Sequence, residues 1–208
     1  MNGTGFISGP QKDNTNVNEI RYRRDLWKAL RCETTDDGAV TQFAHGDGVE
    51  IGVAEGLFSR DILNWPIKFR QFYMVDRWKC VPSQRGDASM SQEWHDKNYT
   101  QASEMARNHP EAKLLQGSSI VVANFVDAES LAFVYVDGDH SFRGVMDDIN
   151  VWYPKLKRGG VMAFHDYENE NYGVRRAVQY FAEMTKLQVH HIPEDKSEDA
   201  GAWFRKPL

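Results

Sequence analysis

The fold of this chain is decided by two stretches, Val134-Tyr-Val-Asp-Gly-Asp-His-Ser141 and Gly159-Gly-Val-Met-Ala-Phe-His-Asp-Tyr167. Each contains a short apolar run, typical of a buried strand, that ends in ionisable side chains. These side chains are Asp137, Asp139 and His140 after the first run, and His165 and Asp166 after the second. Neighbouring strands of an open parallel sheet deliver their carboxyl ends to one crevice. We therefore expect a single cluster of acids and imidazoles, suited to proton transfer or metal binding.

Length and composition are those of a globular protein. The chain has 208 residues, of which 41% are hydrophobic and 12% aromatic, enough for one α/β domain with a sizeable core. A net charge of -5 gives no support for nucleic acid as the main partner. The two cysteines, Cys32 and Cys80, have no metal-type spacing, which indicates free thiols in a reducing compartment.

Residues 1–18 are rich in Gly, Asn, Ser and Thr, and we predict a flexible tail there, followed by a single domain over residues 19–208. The tail lacks the pattern of a secretory signal, and no apolar run is long enough to cross a bilayer, so we expect a cytoplasmic protein. Strands are predicted at 48–53, 72–75, 112–115, 133–136, 161–164, 187–192 and 202–204. Helices are predicted at 20–30, 59–63, 98–108, 120–124, 142–153 and 174–185. This alternation predicts a parallel sheet with helices on both faces.

The first predicted strand runs into Glu50-Ile-Gly-Val-Ala-Glu-Gly56, an acid followed by glycines at a spacing of four. Gly52 allows a sharp turn and a close approach of a ligand to the backbone. The Glu50 carboxylate would repel the pyrophosphate of a dinucleotide but could pair with the ammonium of an amino acid. Asp76 ends the second strand, where an acid can bind the two hydroxyls of a ribose. Together these features suggest S-adenosylmethionine, although a plain turn and a solvated or capping acid stay open.

Several polar residues also have plainer interpretations. Asp139 and Ser141 suit the cap of the next helix, and His140 could be only a structural hydrogen-bonding group. Asp147 and Asp148 are predicted to lie on a solvated helix face.

The polar stretch after the second strand, residues 79–110, is a candidate for a substrate-binding site. It carries Trp94, His95 and Tyr99, and loops of this kind often hold binding residues. Aromatic rings stack well on sugar faces. Tyr167 is a fourth candidate for substrate contact, unless it only packs.

Six motifs follow one another between about residues 46 and 205. They are Glu50-Ile-Gly-Val-Ala-Glu-Gly56, Met74-Val-Asp-Arg-Trp78, Val136-Asp-Gly-Asp-His-Ser-Phe142, Asp147-Asp-Ile-Asn-Val-Trp-Tyr-Pro-Lys-Leu-Lys-Arg-Gly-Gly160, Phe164-His-Asp-Tyr167 and Gly173-Val-Arg-Arg-Ala-Val178. In these motifs the chain resembles class I S-adenosylmethionine-dependent methyltransferases, in particular the branch of macrocin-type and rhamnosyl O-methyltransferases and cephalosporin hydroxylase-like proteins. The resemblance implies a Rossmann-like doubly wound α/β sheet, mostly parallel, with an antiparallel C-terminal strand.

The resemblance also implies a role for individual residues. The cofactor-binding residues would be Glu50, Gly52, Val53 and Gly56 at the methionine end, Asp76, Arg77 and Trp78 at the adenosine, Ser118 and Ser119 near the adenine, and Asp137 beneath the sulfonium. A divalent ion would be held by Asp137, His165 and Asp166. An imidazole at His165 departs from the acid or amide of many relatives and favours Mn²⁺ over Mg²⁺. Without a metal, His140 or His165 would be the catalytic base beside Asp137.

The function implied is O-methylation of a hydroxyl on a sugar or glycan, with a rhamnose-like deoxysugar as the first guess. A phenolic or natural-product acceptor is the main alternative. An NAD-type oxidoreductase is disfavoured by Glu50, which stands where that fold needs glycine. A non-catalytic nucleoside-binding module, a homo-oligomer and membership of a larger protein also stay open.

Overall fold

The computed structural model describes residues 20–30, 32–34, 40–44, 46–84, 86–193 and 200–208, and only the backbone of 32–34 and 40–44. The strands are β1 (Cys32–Thr34), β2 (Val40–Ala44), β3 (Asp47–Ile51), β4 (Phe72–Asp76), β5 (Ala112–Gln116), β6 (Leu131–Val136), β7 (Leu156–Phe164), β8 (His190–Ile192) and β9 (Gly201–Arg205). The α-helices are α1 (Leu57–Leu63), α2 (Gln92–Ala106), α3 (Ser119–Val122), α4 (Phe142–Trp152) and α5 (Val174–Thr185). Short 3-10 helices cover Arg23–Ala29, Gly86–Ser89, Ala123–Phe125 and Tyr153–Lys155. The predicted tail, residues 1–18, lies outside the described residues.

The main sheet has seven strands among the described residues, in the order β5-β4-β3-β6-β7-β9-β8. The five strands from β5 to β7 are parallel neighbours, and β9 is antiparallel to both β7 and β8. The predicted α/β sheet, mostly parallel with an antiparallel C-terminal strand, is therefore confirmed. The hairpin of β1 and β2 forms a separate sheet that the sequence patterns did not predict.

Four parallel strands end at the same level. Ile51 pairs with Val75 and with Val136, and Val136 pairs with Phe164. The residues that come next are Gly52, Asp76, Asp137 and His165. They form a row along one rim of the sheet, because strands in register place their carboxyl ends side by side. The convergence of strand ends expected from the sequence is thus present.

The sheet separates two hydrophobic cores, and β6 contributes to both. Phe133 and Tyr135 face the layer formed by α1, α2 and the 3-10 helix Arg23–Ala29. Val134 and Val136 face the layer formed by α3, α4 and α5. All the residues of β6 are buried, so this strand reads as a continuous apolar run, as expected for a parallel strand covered on both faces.

Trp65 and Trp152 are buried in the first and second cores, whereas Trp27 is half-buried against the first core. Cys80 carries a free thiol, as predicted. No helix in the described part of the chain has both the length and the apolar character needed to pass through a bilayer.

Helix α2 begins earlier than the sequence pattern suggested, at Gln92 rather than near Asn98. Ser91 is extended at the N-cap, and its hydroxyl accepts a hydrogen bond from the backbone N–H of Trp94 at 3.2 Å. This bond satisfies a donor that the first helical turn leaves unpaired. The first half of α2 is too polar to show the apolar periodicity on which the prediction relied.

Strand β7 also begins earlier than predicted, at Leu156. The chain passes through Gly159 with a φ of 77°, and Arg205 Nη1 donates to the Gly159 carbonyl at 2.8 Å. Paired glycines resemble a turn in sequence, but here they form an irregularity within a strand.

The predicted helix at 20–30 is confirmed as the 3-10 helix Arg23–Ala29, and the strand predicted at 187–192 is shorter than expected.

Gly52 is where the main chains of β3 and β6 come closest. Its φ of 87° lies in the left-handed region that favours glycine. A Cβ atom at Gly52 would lie 1.9 Å from the carbonyl oxygen of Asp137, and the N–H of Asp137 donates to the carbonyl of Ile51 at 2.8 Å. The predicted turn at Gly52 is confirmed. The group that lies close to its backbone is the main chain at Asp137, which follows β6.

We expect Gly52→Ala to lower the free energy of unfolding by at least about 3 kcal/mol, because its methyl group would overlap the Asp137 carbonyl. Gly86→Ala is the matched control. Gly86 has a φ of 65°, and a Cβ there meets nothing within 4 Å, so only backbone strain of about 1–2 kcal/mol applies. Urea unfolding curves measure both losses. Equal losses of unfolding free energy in the two variants would show that overlap with the Asp137 carbonyl does not destabilise Gly52→Ala.

Candidate active site

The rim brings together four of the residues that the sequence singled out. His140 Nε2 lies 3.1 Å from Asp137 Oδ1 and 3.5 Å from Asp166 Oδ2. His165 Nδ1 lies 3.3 Å from Asp137 Oδ1 and 3.2 Å from Asp166 Oδ2. Two carboxylates therefore alternate with two imidazoles, and all four side chains are mostly buried. The cluster predicted from the ends of two strands is present.

Burial and pairing shift the pKa values of this cluster in opposite directions. Burial by itself would raise the pKa of Asp137, but hydrogen bonds from His140 and His165 outweigh it and hold that pKa well below its usual range. Burial by itself would lower the pKa of His165, but hydrogen bonds to Asp137 and Asp166 raise it to about 10. The pKa of His140 is raised by Asp137 in the same way, against the effect of burial. His165 therefore carries a proton at neutral pH.

Three of these residues have the arrangement of a metal site. One ligand atom each from Asp137, His140 and Asp166 lie within 4.8 Å of one another. Carboxylate and imidazole donors at such separations can bind one divalent ion. The sequence predicted Asp137, His165 and Asp166 for this role. The structure adds His140 to the candidates, and His165 contacts the same two carboxylates.

The loop after β7 is held tightly against the residues after β6. Asp166 has a φ of 53°, an unfavourable conformation for a residue with a side chain. Gly173 donates from its N–H to the His140 carbonyl at 2.8 Å, and a Cβ at Gly173 would lie 2.0 Å from the backbone nitrogen of Phe142. The ring of Tyr172 lies over His140 with centroids 4.6 Å apart. Tyr172, which the sequence analysis missed, thus covers one side of the cluster while remaining partly exposed.

Glu50 is buried beside the row, at the level of Tyr135 in the neighbouring strand. It is 1% exposed and accepts a hydrogen bond from the hydroxyl of Ser59 on α1. Burial raises the pKa of Glu50 to about 8, partly offset by the Ser59 bond, and Asp137 adds to the rise. The guanidinium of Arg23 lies 4.7 Å from the ring centroid of Phe58 and hydrogen-bonds Tyr135. Arg23 therefore brings a positive charge to this acidic rim.

Ser59 and Arg23 were not predicted. A buried serine at the start of α1 could have been suspected, because it neighbours Phe58 and Ile62, which face the core. Arg23 could not, because its contact with Tyr135 joins segments that are distant in sequence.

Asp76 connects two turns through its carboxylate. Oδ2 accepts a hydrogen bond from the N–H of Ala54 at 2.9 Å, and Oδ1 accepts one from the N–H of Trp78 at 2.8 Å. The indole of Trp78 closes the loop by donating to the Ala54 carbonyl at 2.8 Å. Trp78 is 1% exposed and belongs to the first hydrophobic core, so its side chain supports the turn from the protein interior. Arg77 Nη1 donates a hydrogen bond to Gln84 Oε1 at 2.9 Å.

Gly56 and Val53 complete the turn between β3 and α1. Gly56 is the N-cap of α1, with a φ of 86°, and its N–H donates to the Val53 carbonyl at 2.8 Å. Gly56 therefore lies where the turn passes into α1.

Polar residues on the other side of the rim show one confirmed prediction and one error. Ser141 caps α4, accepting from the N–H of Gly144 at 3.0 Å, and Asp139 accepts from the N–H of Ser141 at 2.9 Å. The prediction that Asp148 lies on a solvated face is wrong, since it is 3% exposed. Its carboxylate accepts a hydrogen bond from the Ser119 hydroxyl. The helical spacing of position 148 relative to the buried Val145 and Trp152 could have revealed this.

Two of the four predicted acceptor contacts, His95 and Tyr167, lie away from open solvent, whereas Tyr99 is exposed. Trp94, His95 and Tyr99 are on α2 rather than in a loop. His95 is buried, and Tyr99 packs edge-on against Trp78 with centroids 5.1 Å apart. Tyr167 is 1% exposed. His95 and Tyr167 face the protein interior. That the four residues bind the acceptor stays a prediction.

Comparison with known proteins agrees with this geometry. A family profile described as a methyltransferase domain matches residues 49–167, more than half of the chain. A search of curated protein sequences finds no match.

Solved structures with a similar fold include a protein from Corynebacterium glutamicum, 17% identical, with a TM-score of 0.58 over 89% of this chain and 80% of that one. The O-methyltransferase NovP is 23% identical, with a TM-score of 0.55 over 78% and 72% of the two chains. The calicheamicin methyltransferase CalS11 is 15% identical, with a TM-score of 0.56 over 77% and 72%. At these identities the likeness establishes the fold alone.

We expect Glu50→Gln to stabilise the protein without ligands by an amount that grows as the pH rises. A folded-state pKa of about 8 exceeds the unfolded value of about 4.3. The folded protein therefore holds a proton that the unfolded chain has lost between these two pH values. Stability consequently falls as pH rises through this window in the wild type, but glutamine has no proton to lose.

Thermal melting at pH 5, 7 and 8.5 tests this expectation. Glu183→Gln, at an exposed position on α5, is the control and should show no such trend. If the difference in Tm between Glu50→Gln and the wild type stays constant with pH, Glu50 is not a protonated buried acid.

Proposed function

Since the chain belongs to the methyltransferase-domain family and has the class I, S-adenosylmethionine-dependent fold, we propose that it methylates a hydroxyl group of a sugar or glycan. The observation that carries this proposal is the cluster of Asp137, His140 and Asp166 at the ends of β6 and β7, with ligand atoms within 4.8 Å. Such a cluster can bind, orient and deprotonate a hydroxyl group. The resemblance to the rhamnosyl O-methyltransferase branch makes a rhamnose-like deoxysugar the first candidate.

The residues along the rim fit the cofactor. S-adenosylmethionine supplies the methyl group as an activated sulfonium. We assign Glu50 to the cofactor's ammonium, because its buried carboxylate has only a hydroxyl donor, from Ser59, among the described residues. We assign Asp76 to the ribose, because each carboxylate oxygen accepts one backbone N–H and retains a lone pair for a hydroxyl. The turn that ends at Gly56 would lie against the methionine part.

The donor set at the cluster also fits a divalent ion, held by Asp137, Asp166 and an imidazole. A bound ion would lower the pKa of the acceptor hydroxyl and fix its orientation. A mixed set of nitrogen and oxygen donors favours Mn²⁺ over Mg²⁺. His140 is our candidate for the imidazole ligand, because its side chain is 27% exposed against 12% for His165.

The two histidines then have different tasks. With a pKa of about 10, His165 already carries a proton at neutral pH and cannot accept one from the acceptor. We propose that it holds the carboxylates of Asp137 and Asp166 in place. His140 lies nearer to solvent and is the better base in a reaction without metal, taking the proton of the hydroxyl as the oxygen–methyl bond forms.

The acceptor is a sugar in this proposal because an aromatic ring borders the cluster. Tyr172 is 40% exposed and lies over His140, so one face of a sugar could rest against it. A natural-product or phenolic acceptor is the second candidate, supported by the fold shared with CalS11, a calicheamicin methyltransferase. Membership of the methyltransferase family removes the NAD-type oxidoreductase from consideration.

The first test is methyl transfer itself. We expect S-adenosylhomocysteine to form when the protein is mixed with S-adenosylmethionine and a rhamnoside, and less or none with catechol. Turnover of catechol alone would favour the phenolic acceptor. Tight binding of S-adenosylhomocysteine with no turnover of any acceptor would favour a non-catalytic module.

We expect His140→Ala to lower turnover by at least about 100-fold, because it removes a ligand or base. The affinity for S-adenosylhomocysteine should change little, since His140 lies at the acceptor side of the rim. His109→Ala is the control, because His109 pairs only loosely with Glu111, at 3.9 Å, near the opposite edge of the sheet. Isothermal titration and a coupled turnover assay separate the two effects. Equal turnover in the two variants would remove His140 from the mechanism.

We expect Mn²⁺ to bind with higher affinity at pH 8 than at pH 6, because it must displace a proton from the imidazole of His140, whose pKa is raised. Asp166→Asn should weaken binding at both pH values. Titration calorimetry of the metal alone measures this. Full activity after exhaustive chelation would rule out a metal requirement.

A further inference from the structure

The side chain of Asp166 reaches the cluster from an unfavourable backbone conformation. Its φ of 53° lies in the left-handed region. Its Oδ2 atom lies 3.2 Å from His165 Nδ1 and 3.5 Å from His140 Nε2. Unfavourable conformations persist only where the surrounding structure holds them. Neighbouring residues must therefore fix the main chain at Asp166.

Tyr167, the next residue, is held by contacts with three other segments. Its N–H donates to the carbonyl of Ala200 at 3.1 Å. The residue is 1% exposed, and its ring packs edge-on against His191 with centroids 4.8 Å apart. Its carbonyl accepts a hydrogen bond from Nε of Arg175 at 3.3 Å, and the guanidinium lies 5.6 Å from the ring centroid. Arg175 thus holds the main chain that follows Asp166.

Arg175 lies in the first turn of α5 and has a second contact, an ion pair with Glu168. Glu168 in turn lies 3.3 Å from His191, measured from Oε1 to Nδ1. The side chains of Arg175 and Glu168 are 38% and 40% exposed, and ion pairs this exposed add little to stability. The bond to the Tyr167 carbonyl is therefore the contact by which Arg175 determines local geometry.

We propose that Arg175 is a positioning residue, which holds the main chain after Asp166 so that the Asp166 carboxylate faces His140 and His165. Arg175 acts through Tyr167 and Asp166, and it touches neither the acceptor nor the cofactor. The inference rests on the proposed function, because Asp166 belongs to the reacting centre there. Loss of Arg175 would misplace the carboxylate and leave the turn that binds the cofactor unchanged.

Arg176 provides a matched control. It follows Arg175 on α5 but is exposed, and its guanidinium lies 5.2 Å from the ring centroid of Phe142. Arg175→Gln and Arg176→Gln each remove one positive charge from the same helical turn, and both introduce a residue of good helix propensity. A difference between the two variants therefore reports on the contacts of Arg175 and not on net charge.

The first measurement is steady-state turnover with S-adenosylmethionine and a rhamnoside. We expect Arg175→Gln to lower kcat by at least about tenfold, because a small displacement of an aligned group slows a reaction steeply. The KM of the acceptor, the affinity for S-adenosylhomocysteine and the Tm should change as little as in Arg176→Gln. A rise in KM at unchanged kcat would mean that Arg175 binds the acceptor, and it would overturn the proposal.

Arg175→Lys is the conservative variant. Lysine keeps the charge but has a single donor atom, so it cannot fully replace both contacts of the guanidinium. We expect an intermediate kcat. Because this variant changes α5 least, it also provides the test if Arg175→Gln does not fold.

The second measurement shows whether the effect passes through Asp166. Calorimetric titration with Mn²⁺ requires no turnover, and loss of a residue that orients a metal ligand typically weakens binding by about tenfold or more. We expect this weakening when Arg175→Gln is added to the wild type, but not when it is added to Asp166→Asn, which has already lost the carboxylate. Equal weakening in both backgrounds would mean that Arg175 acts on the fold as a whole, and it would overturn the proposal.

The two proposals can fail separately. If no acceptor is methylated but the Mn²⁺ affinities follow this pattern, the proposed function fails and the positioning of Asp166 by Arg175 is supported. If the wild type methylates an acceptor without binding Mn²⁺, the same two backgrounds are compared through kcat. Equal kcat in Arg175→Gln and Arg176→Gln overturns the role of Arg175 alone. A wild type that neither methylates an acceptor nor binds Mn²⁺ overturns both proposals.

Discussion

The structure depends on the register of four parallel strands that end at one level. The pairing of Ile51 with Val75 and Val136 brings the following residues into a single row. The row is close-packed, because Gly52 allows the main chain of Asp137 to approach at a distance that no side chain would permit. A shift of one strand by one residue would turn each rim side chain to the other face. The acids and imidazoles would then no longer face one another.

This arrangement brings several carboxylates together at a largely buried site. Their negative charges are compensated in two ways. Asp137 and Asp166 are paired with imidazoles, which hold the pKa of Asp137 well below its usual range, whereas burial favours the protonated form of Glu50. Arg23 supplies a positive charge from a distant part of the chain. A bound cofactor with an ammonium group and a sulfonium would replace protons with fixed cations, so binding and deprotonation are expected to be coupled.

The sequence predicted strands, caps and the residue cluster correctly where the pattern involved residues close together in the chain. The central strands and the cluster at the ends of β6 and β7 follow from short apolar runs that stop at ionisable residues. The cap at Ser141 followed from its place before a helix. Prediction failed where polar sequence hides structure, as at the start of α2, and where helical position outweighs charge, as at Asp148. Contacts between distant segments, such as Arg23 with Tyr135, leave no local pattern to find.

One further consequence follows from Arg205 on β9. Its guanidinium donates to the carbonyl of Ala29 at 2.7 Å and to that of Gly159 at 2.8 Å, which ties the 3-10 helix Arg23–Ala29 to the sheet. A segment made early in synthesis is thus fastened by a strand made late. On the ribosome the central strands can pair first, but the 3-10 helix gains this particular connection only when β9 has emerged and inserted beside β7. The segment that carries Arg23 is therefore fully fastened only after the end of the chain has been made.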